Sequence, residues 1–429
     1  MSILDWAPGH LLNLKIPAHG EALRRGGSAF LTEAFRATGA LAADNRVTHI
    51  AQCEEIVGGS TGRKLLLSVE YEKPGPPSRL FVKFSRDFDD AARDRGRVQM
   101  ESEVRLALLS RLPEFPIRVP ACLYADYDPE SETGILITER VAFGVGGIEP
   151  LHEKCLDYEI PAPLEHYRAI VRALARLAGT HKAGRFPSDV AQQFPFDPGK
   201  LAVARRAPFT AEQLKDRAER YAEFAGEFPQ LLPANIRSPE FLARFVVEAP
   251  RFADHEESMK RFLNSKPDFI ALCHWNAHID NAWFWRNRRG GLECGLMDWG
   301  HVSQMNVAMA LWGTLSGAEV ELWDDRLDAL LALFVSEFAA CGGPALDPGE
   351  LKFHMQLYIA MMGLNWLLDA TSTVRKQVPE LATVKDRFDP RFRTNERARA
   401  QMQILTVFLN LWQKQDFGAV LDRLVAHRG

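Results

Sequence analysis

The polar side chains best suited to chemistry lie in residues 272–284, which include His274, Asn276 and Asn281, and Asp298 follows after an apolar segment. Carboxylate and amide oxygens are hard ligands that suit Mg²⁺. Phosphoryl transfer needs positioned nucleotide phosphates, one or two Mg²⁺ ions and a group that orients the attacking hydroxyl. Asn281 and Asp298 are therefore candidate metal ligands, and Asn276 is a candidate for orienting an acceptor.

Two short apolar segments between these residues predict a β-hairpin. Residues 282–285 and 292–297 have the composition of strands, and the polar, glycine-containing segment 286–291 predicts the turn that joins them. Such a hairpin would bring Asn281 and Asp298 close together at one end, which is the geometry that a shared metal ion requires.

Strand and turn patterns alternate nearer the N-terminus, over residues 47–84. Three β-branched or apolar segments are separated by the glycine-rich turn 58–62 and by a proline-rich turn, which predicts a meander of three strands. The glycines could supply the positive φ angles of a hairpin or a loop over phosphates, and short glycine runs alone favour the hairpin. Lys83 lies in the third strand.

Residues 91–112 carry apolar side chains at helical spacing, with Glu101 and Glu103 among them. Glu101 lies within the apolar stripe, where an unpaired carboxylate would be costly to bury. Lys83 on the preceding strand is its natural partner. Glu103 lies farther from the centre of the stripe and is the other candidate partner of Lys83. The pattern is equally consistent with all of these charges being partly exposed and unpaired.

The strand and helix patterns divide the chain. Two further strand patterns at 120–127 and 133–139 bring the first part to about five strands, an ordinary sheet, and the remaining sequence is almost wholly helical. We therefore predict an α+β protein with a helical N-terminal extension over residues 1–46, a small sheet-rich lobe over 47–141 and a larger, mainly helical lobe over 142–429.

The motif His274-x-Asn276-x-His278-x-x-Asn281, followed by Asp298 after an apolar strand, resembles the signature of the aminoglycoside phosphotransferase and choline-kinase-like superfamily. The resemblance implies a bilobal, protein-kinase-like fold. It also implies ATP or another nucleoside triphosphate as donor, Mg²⁺, and a hydroxyl of a small molecule as acceptor. His274 and Asn276 would then belong to the catalytic loop, and Asn281 and Asp298 would hold the metal.

The same resemblance extends over roughly residues 47–340 and implies nucleotide contacts in the first lobe. The residues that it assigns to nucleotide binding are Gly59, Ser60, Gly62, Lys83, Glu101, Glu139 and Val141. The glycine turn would cover the phosphates, and Lys83 would hold them with the help of Glu101 or, failing it, Glu103. The last two residues would form the hinge beside the nucleobase.

Asn276 departs from the superfamily pattern, which has a catalytic aspartate at this position. A neutral amide can accept a hydrogen bond from a hydroxyl but cannot take up its proton, and a base typically contributes about 10²–10⁴-fold. Positioning and metal charge can still supply much of the rate. The sequence is compatible with a slow or altered phosphotransferase and with a pseudokinase that binds a ligand without transfer. A third alternative is an α+β protein with neither activity, but the order of the motifs along the chain would then be a coincidence.

Composition and charge argue against several other classes. A net charge of −4 over 429 residues gives no support for nucleic-acid binding, and no apolar run reaches the ~18 residues of a membrane span. The six cysteines form no C-x-x-C pair and the N-terminus lacks a signal-peptide pattern, so we expect a cytoplasmic protein with reduced thiols. His274 and His278 lie four residues apart, but their β-like, aromatic surroundings disfavour a zinc site.

Overall fold

The computed structural model describes residues 4–56, 58–59, 61–198 and 208–426. The chain forms two compact units, of which the first comprises residues 1–148 and 295–302 and the second comprises residues 149–294 and 303–429. The predicted α+β class is confirmed, because the sheet-rich part of the chain precedes a larger, mainly helical part.

The first unit is built on a five-stranded antiparallel sheet. Its strands and helices are β1 (Trp6–Pro8), β2 (Lys15–Pro17), α1 (Gly20–Ala37), β3 (Val47–Ile56), β4 (Arg63–Tyr71), β5 (Arg79–Phe84), α2 (Ala91–Asp94), α3 (Met100–Leu109), β6 (Cys122–Asp128) and β7 (Thr133–Glu139). The sheet has the order β3-β4-β5-β7-β6, and β1 pairs with β2. The predicted three-strand meander is thus β3-β4-β5. The single helix predicted over 91–112 is divided by a 3-10 turn that contains Gly96, a weak helix former.

The N-terminal segment belongs to the core of the first unit, whereas the sequence suggested a separate extension. Leu31 and Phe35 of α1 are fully buried in the same core as Leu65 and Val82 of the sheet. The sequence shows that α1 has an apolar face but not which surface covers it, and an apolar face must be buried against another element. Gly27, with a φ of 58°, interrupts the regular helical geometry of α1.

The short segment 295–302 also belongs to the first unit, although the sequence placed it in the helical lobe. The backbone N–H of Leu296 donates to the carbonyl oxygen of Arg118 at 3.0 Å. The hydroxyl of Ser102 on α3 donates to the carbonyl oxygen of Gly300 at 3.4 Å. These bonds tie the segment that carries Asp298 to the sheet-rich part of the chain.

The second unit is mainly helical. Its strands are β8 (Ile270–His274), β9 (Ala282–Arg286), β10 (Leu292–Leu296) and β11 (Val302–Asn306), the last two of which run into the segment 295–302. Its helices are α4 (Pro163–Lys182), α5 (Val190–Gln193), α6 (Ala211–Glu227), α7 (Pro239–Glu248), α8 (Glu256–Asn264), α9 (Val307–Leu315), α10 (Val320–Ala340), α11 (Pro348–Met362), α12 (Ala370–Gln377), α13 (Pro390–Arg393), α14 (Glu396–Lys414) and α15 (Phe417–Ala426).

The hairpin predicted from the sequence is confirmed, since β9 pairs with β10. Between α7 and α8 the chain forms a 3-10 segment that contains Pro250, whose ring prevents a regular helical hydrogen bond. Among the described residues, no helix combines the length and the apolar character that crossing a membrane requires.

Candidate active site

Lys83 lies between two carboxylates within the first unit. Its Nζ atom is 2.6 Å from Oε2 of Glu103 and 2.8 Å from Oδ1 of Asp298. Lys83 and Glu103 are buried, whereas the Asp298 side chain is 49% exposed. Burial opposes the charge on Lys83, but attraction to Asp298 and Glu103 exceeds that effect and raises the pKa of the ammonium. Lys83 therefore remains a cation although it is buried.

Glu103 is the partner of Lys83, which corrects the sequence-based preference for Glu101. The residues of α3 that are buried include Met100, Glu103 and Val104, so Glu103 lies on the buried face of the helix. At about 100° per residue, Glu101 is turned to the opposite side of the helix from Glu103. There Glu101 forms an ion pair of 2.7 Å with Arg105.

Asp298 has an unusual backbone conformation. Its φ angle is 62°, in the left-handed region that few residues other than glycine adopt. The next residue, Trp299, contributes a backbone hydrogen bond to the carboxylate of Glu103. Burial raises the pKa of Glu103, and both Lys83 and this bond oppose the rise. The strained turn thus presents the Asp298 carboxylate to Lys83 while supporting Glu103.

The glycine-rich turn between β3 and β4 is held in place by its carbonyl groups. Arg93 donates to the carbonyl oxygens of Gly58 at 3.1 Å and Gly62 at 2.6 Å. Gly62 has a φ of 51°, and a Cβ atom there would lie 1.8 Å from the carbonyl oxygen of Phe84. Only glycine allows this close approach. Ser60, which the resemblance assigned to nucleotide binding, lies outside the described residues.

Lys64 is a candidate site residue that the sequence reasoning missed. It is the cross-strand partner of Lys83, so both side chains lie on the same face of the sheet. The Nζ atom of Lys64 donates to the carbonyl oxygen of Gly58 at 3.0 Å. A Cβ atom on Gly59 would lie 1.8 Å from the same Nζ atom. Burial and then repulsion from Lys83 lower the pKa of Lys64. The register of the β4–β5 pair would have been needed to find it.

The end of β7 offers one backbone donor. Glu139 is an exposed residue, and its N–H donates to the carbonyl oxygen of Ala121 at 2.8 Å. The N–H of Arg140 donates to the carbonyl oxygen of Arg79 at 3.0 Å. Within the described part of the chain, the N–H of Val141 makes no such bond. Val141 could therefore donate to a ligand, as the predicted hinge requires.

The residues predicted to form the catalytic loop lie in the second unit and are positioned through the backbone of Asn276. Its N–H donates to Nδ1 of His274 at 3.1 Å, and its carbonyl oxygen accepts from Nδ2 of Asn281 at 2.8 Å. His274 is completely buried. His274 therefore positions Asn276 and does not itself reach a substrate, whereas the half-buried Asn276 side chain is left outside both bonds.

Asn281 is suited to hold a cation through one atom. Its side chain is 8% exposed, and its amide nitrogen is bonded to Asn276, which leaves Oδ1 outside that bond. Amide and carboxylate oxygens are the donors that Mg²⁺ prefers, so Asn281 and Asp298 have the right chemistry. They belong to different units, and a metal ion shared between them stays a prediction.

Trp275 anchors the predicted catalytic loop through contacts with α11 and α9. Its indole Nε1 donates to the hydroxyl of Tyr358 at 2.8 Å. Its carbonyl oxygen lies so close to α9 that a Cβ atom on Gly313 would be 1.7 Å away. Helix α9 can therefore support the loop only because position 313 has no side chain.

We predict that Gly313→Ala displaces the loop and lowers the free energy of unfolding by about 1–3 kcal/mol, the usual range for overpacking. The matched control is Gly226→Ala on α6, where a Cβ atom meets nothing within 4 Å. The control should be neutral or should stabilise the helix by up to about 1 kcal/mol. Urea denaturation of both variants measures the difference. Equal stability of the two variants would contradict the close approach of α9 to Trp275.

No protein-family model matches this chain, and no relative is found among the curated proteins. The chain is similar in structure to a choline kinase from Cryptosporidium parvum, with 13% identity, coverage of 88% of this chain and 90% of that chain, and a TM-score of 0.38. It is also similar to an ethanolamine kinase from Plasmodium vivax, with 14% identity, coverage of 83% and 81%, and a TM-score of 0.41.

A third similar structure is an aminoglycoside phosphotransferase from Streptomyces rimosus in complex with ADP and streptomycin. Its identity to this chain is 18%, the similarity covers 79% of this chain and 98% of that chain, and the TM-score is 0.35. These small-molecule kinases and phosphotransferases are what the chain is similar to, and TM-scores this low do not assign it an activity.

Proposed function

We propose that this protein is a phosphotransferase that uses ATP, or another nucleoside triphosphate, and Mg²⁺ to phosphorylate a hydroxyl group of a small molecule. The observation that carries the proposal is the buried Lys83 ammonium between Glu103 and the half-exposed carboxylate of Asp298. A preformed cation attracts phosphate oxygens, and an accessible carboxylate beside it suits a metal bound to the same phosphates.

The other residues of the first unit support the same interpretation. Lys64 and Lys83 place two ammonium groups on one face of the sheet beside the glycine-rich turn, where they would bind nucleotide phosphates. The N–H of Val141 would donate to the nucleobase. When bound through Asp298 and Asn281, Mg²⁺ would neutralise negative charge on the phosphates.

In the second unit, Asn276 would orient the acceptor hydroxyl by accepting its hydrogen bond. His274 and Asn281 fix the backbone of Asn276, so the side chain is positioned although it cannot remove a proton. Transfer would then depend on positioning and electrostatics, and we expect a slow reaction. The alternative function is that of a pseudokinase. It is favoured by this same loop, in which the positioning contacts are present and the base is absent.

Thermal denaturation with and without Mg-ATP tests nucleotide binding. A ligand that binds only the native state stabilises it by about 2.7 kcal/mol at 100 times its Kd. We expect Mg-ATP to raise the Tm of the native protein and to have a much smaller effect on Asp298→Asn. The matched control is Asp44→Asn, which removes an exposed carboxylate paired with Lys73 in the same unit.

Turnover of ATP across a panel of alcohols and amino sugars separates the two functions. A rise in Tm accompanied by acceptor-dependent turnover supports the phosphotransferase, whereas the same rise without turnover supports the pseudokinase. Absence of any change in Tm at millimolar nucleotide would reject both.

A further inference from the structure

Three potential metal ligands lie together at the beginning of the second unit, apart from the residues that we assign to phosphotransfer. They are Glu149, His152 and His166, and one ligand atom from each lies within 4.8 Å of the others. Nε2 of His166 is 2.7 Å and Nε2 of His152 is 3.0 Å from the same oxygen, Oε2 of Glu149. Two imidazoles and one carboxylate thus converge on one point.

The orientation of His166 is the strongest indication that a cation belongs at this point. Its Nε2 faces the Glu149 carboxylate, while its Nδ1 lies 3.4 Å from the carbonyl oxygen of Ala162. A neutral imidazole has only one N–H, so Nδ1 and Nε2 cannot both donate to these two oxygens, and a metal ion bound to Nε2 would remove that conflict. Metal-binding histidines usually donate their second N–H to a carbonyl or carboxylate oxygen, as Nδ1 of His166 would.

The three side chains are held by their surroundings. The ring of Phe284 on β9 packs against His166 with a centroid distance of 4.6 Å and against His152 with one of 5.7 Å. The backbone N–H of Glu149 donates to the carbonyl oxygen of Phe284 at 2.9 Å. The side chain of His166 is only 4% exposed, which fixes its ring. The ligands are therefore already gathered and need not be recruited by the ion.

We propose that Glu149, His152 and His166 bind a divalent transition-metal ion such as Zn²⁺. Two imidazole nitrogens and a carboxylate oxygen suit Zn²⁺, whereas Mg²⁺ and Ca²⁺ prefer oxygen ligands alone. Tetrahedral Zn²⁺ with bonds of about 2.0–2.1 Å sets neighbouring ligand atoms about 3.3 Å apart. Relative to that spacing, the His166 pair at 2.7 Å would open by about 0.6 Å and the His152 pair at 3.0 Å by about 0.3 Å. With three protein ligands, the fourth position is taken by water.

The ion would link the segment before α4 to α4 itself, at a point that β9 covers. Glu149 and His152 precede α4, His166 lies on α4, and Phe284 of β9 covers both histidines. Because β9 follows directly after Asn281, the ion would stabilise the strand that continues from the catalytic loop. The site requires no nucleotide, so it is independent of the proposed phosphotransferase activity.

The test is a calorimetric titration of the full-length protein, first stripped with a chelator, with ZnCl₂ in the absence of nucleotide. We expect one equivalent to bind and the Tm to rise by roughly 5 °C at saturating Zn²⁺. His152→Ala, His166→Ala and Glu149→Gln should each weaken binding about 10–100-fold or more. Substitution with Co²⁺ should give the visible absorption of a four-coordinate ion with nitrogen and oxygen ligands.

The matched control is His49→Ala, which removes an exposed histidine from β3 of the first unit and should leave Zn²⁺ binding unchanged. If the His166→Ala variant does not fold, the His152→Ala variant carries the comparison, because the His152 side chain is 15% exposed and that of His166 only 4%. The proposal is overturned if the native protein binds no Zn²⁺, or if His152→Ala binds it as tightly as the native protein. In either case the three side chains form only a hydrogen-bonded ion pair.

Discussion

Asn276→Asp is expected to raise the rate of phosphoryl transfer by about 10²-fold or more, because the new carboxylate can accept the proton of the attacking hydroxyl. The substitution preserves side-chain shape. Both hydrogen bonds that fix this residue, from its own N–H to His274 and from Asn281 to its carbonyl oxygen, involve its backbone. The loop should therefore keep its conformation. Steady-state turnover at saturating Mg-ATP and acceptor measures the gain.

Asn276→Ala is the control that shows whether the Asn276 amide itself contributes to the rate or only occupies the position of a lost base. If Asn276 orients the acceptor, the alanine variant should be slower than the native protein, and the three rates should rank Asp above Asn above Ala. A native rate that is already high and that Asn276→Asp leaves unchanged or lowers would show that the amide is adapted to its task. The view of Asn276 as a substitute for a base would then be wrong.

Lys83→Met is expected to abolish the rise in Tm produced by Mg-ATP and to reduce any turnover at least 10²-fold. The phosphates would lose the buried cation that is held between Glu103 and Asp298. The variant should also lose stability, because removal of one partner from a buried ion pair typically costs about 3–5 kcal/mol. Protonation of Glu103, whose pKa is already raised by burial, should reduce that cost as the pH falls.

The double variant Lys83→Met/Glu103→Gln separates loss of nucleotide binding from loss of the fold. It removes the unpaired carboxylate, and the amide oxygen of glutamine can still accept the backbone hydrogen bond from Trp299. We expect it to recover much of the stability without recovering the effect of Mg-ATP. Recovery of both would mean that Lys83 acts only as a structural cation, and the proposed phosphate contact would be untenable.

Much of the architecture could be predicted from the sequence because its signals are local. The meander β3-β4-β5 follows from alternating strand and turn patterns, and the β9–β10 hairpin follows from two aromatic or aliphatic segments around a polar turn. The oxygen-bearing residues Asn281 and Asp298 were identified from residue type and motif spacing. Their joint action on one metal ion is not a local property and remains to be tested.

The features that the sequence did not predict depend on three-dimensional context. The preference for Glu101 over Glu103 failed because apolar spacing does not show which side of α3 is covered: Met100, Glu103 and Val104 are buried, whereas Leu108 is only partly buried. The role of α1 was missed because an amphipathic helix does not indicate what covers it. Lys64 faces the same side as Lys83 only through the register of two strands, and His166 meets Glu149 and His152 only after α4 has packed.

The discontinuity of the first unit bears on how the chain folds during synthesis. A nascent chain that ends at residue 148 contains the whole five-stranded sheet but lacks residues 295–302. In such a chain, the carbonyl oxygen of Arg118 lacks its hydrogen-bond donor, the N–H of Leu296. Lys83 likewise lacks the carboxylate of Asp298, one of its two partners. The unit that begins first on the ribosome therefore cannot be completed until residues 149–294 have also been made.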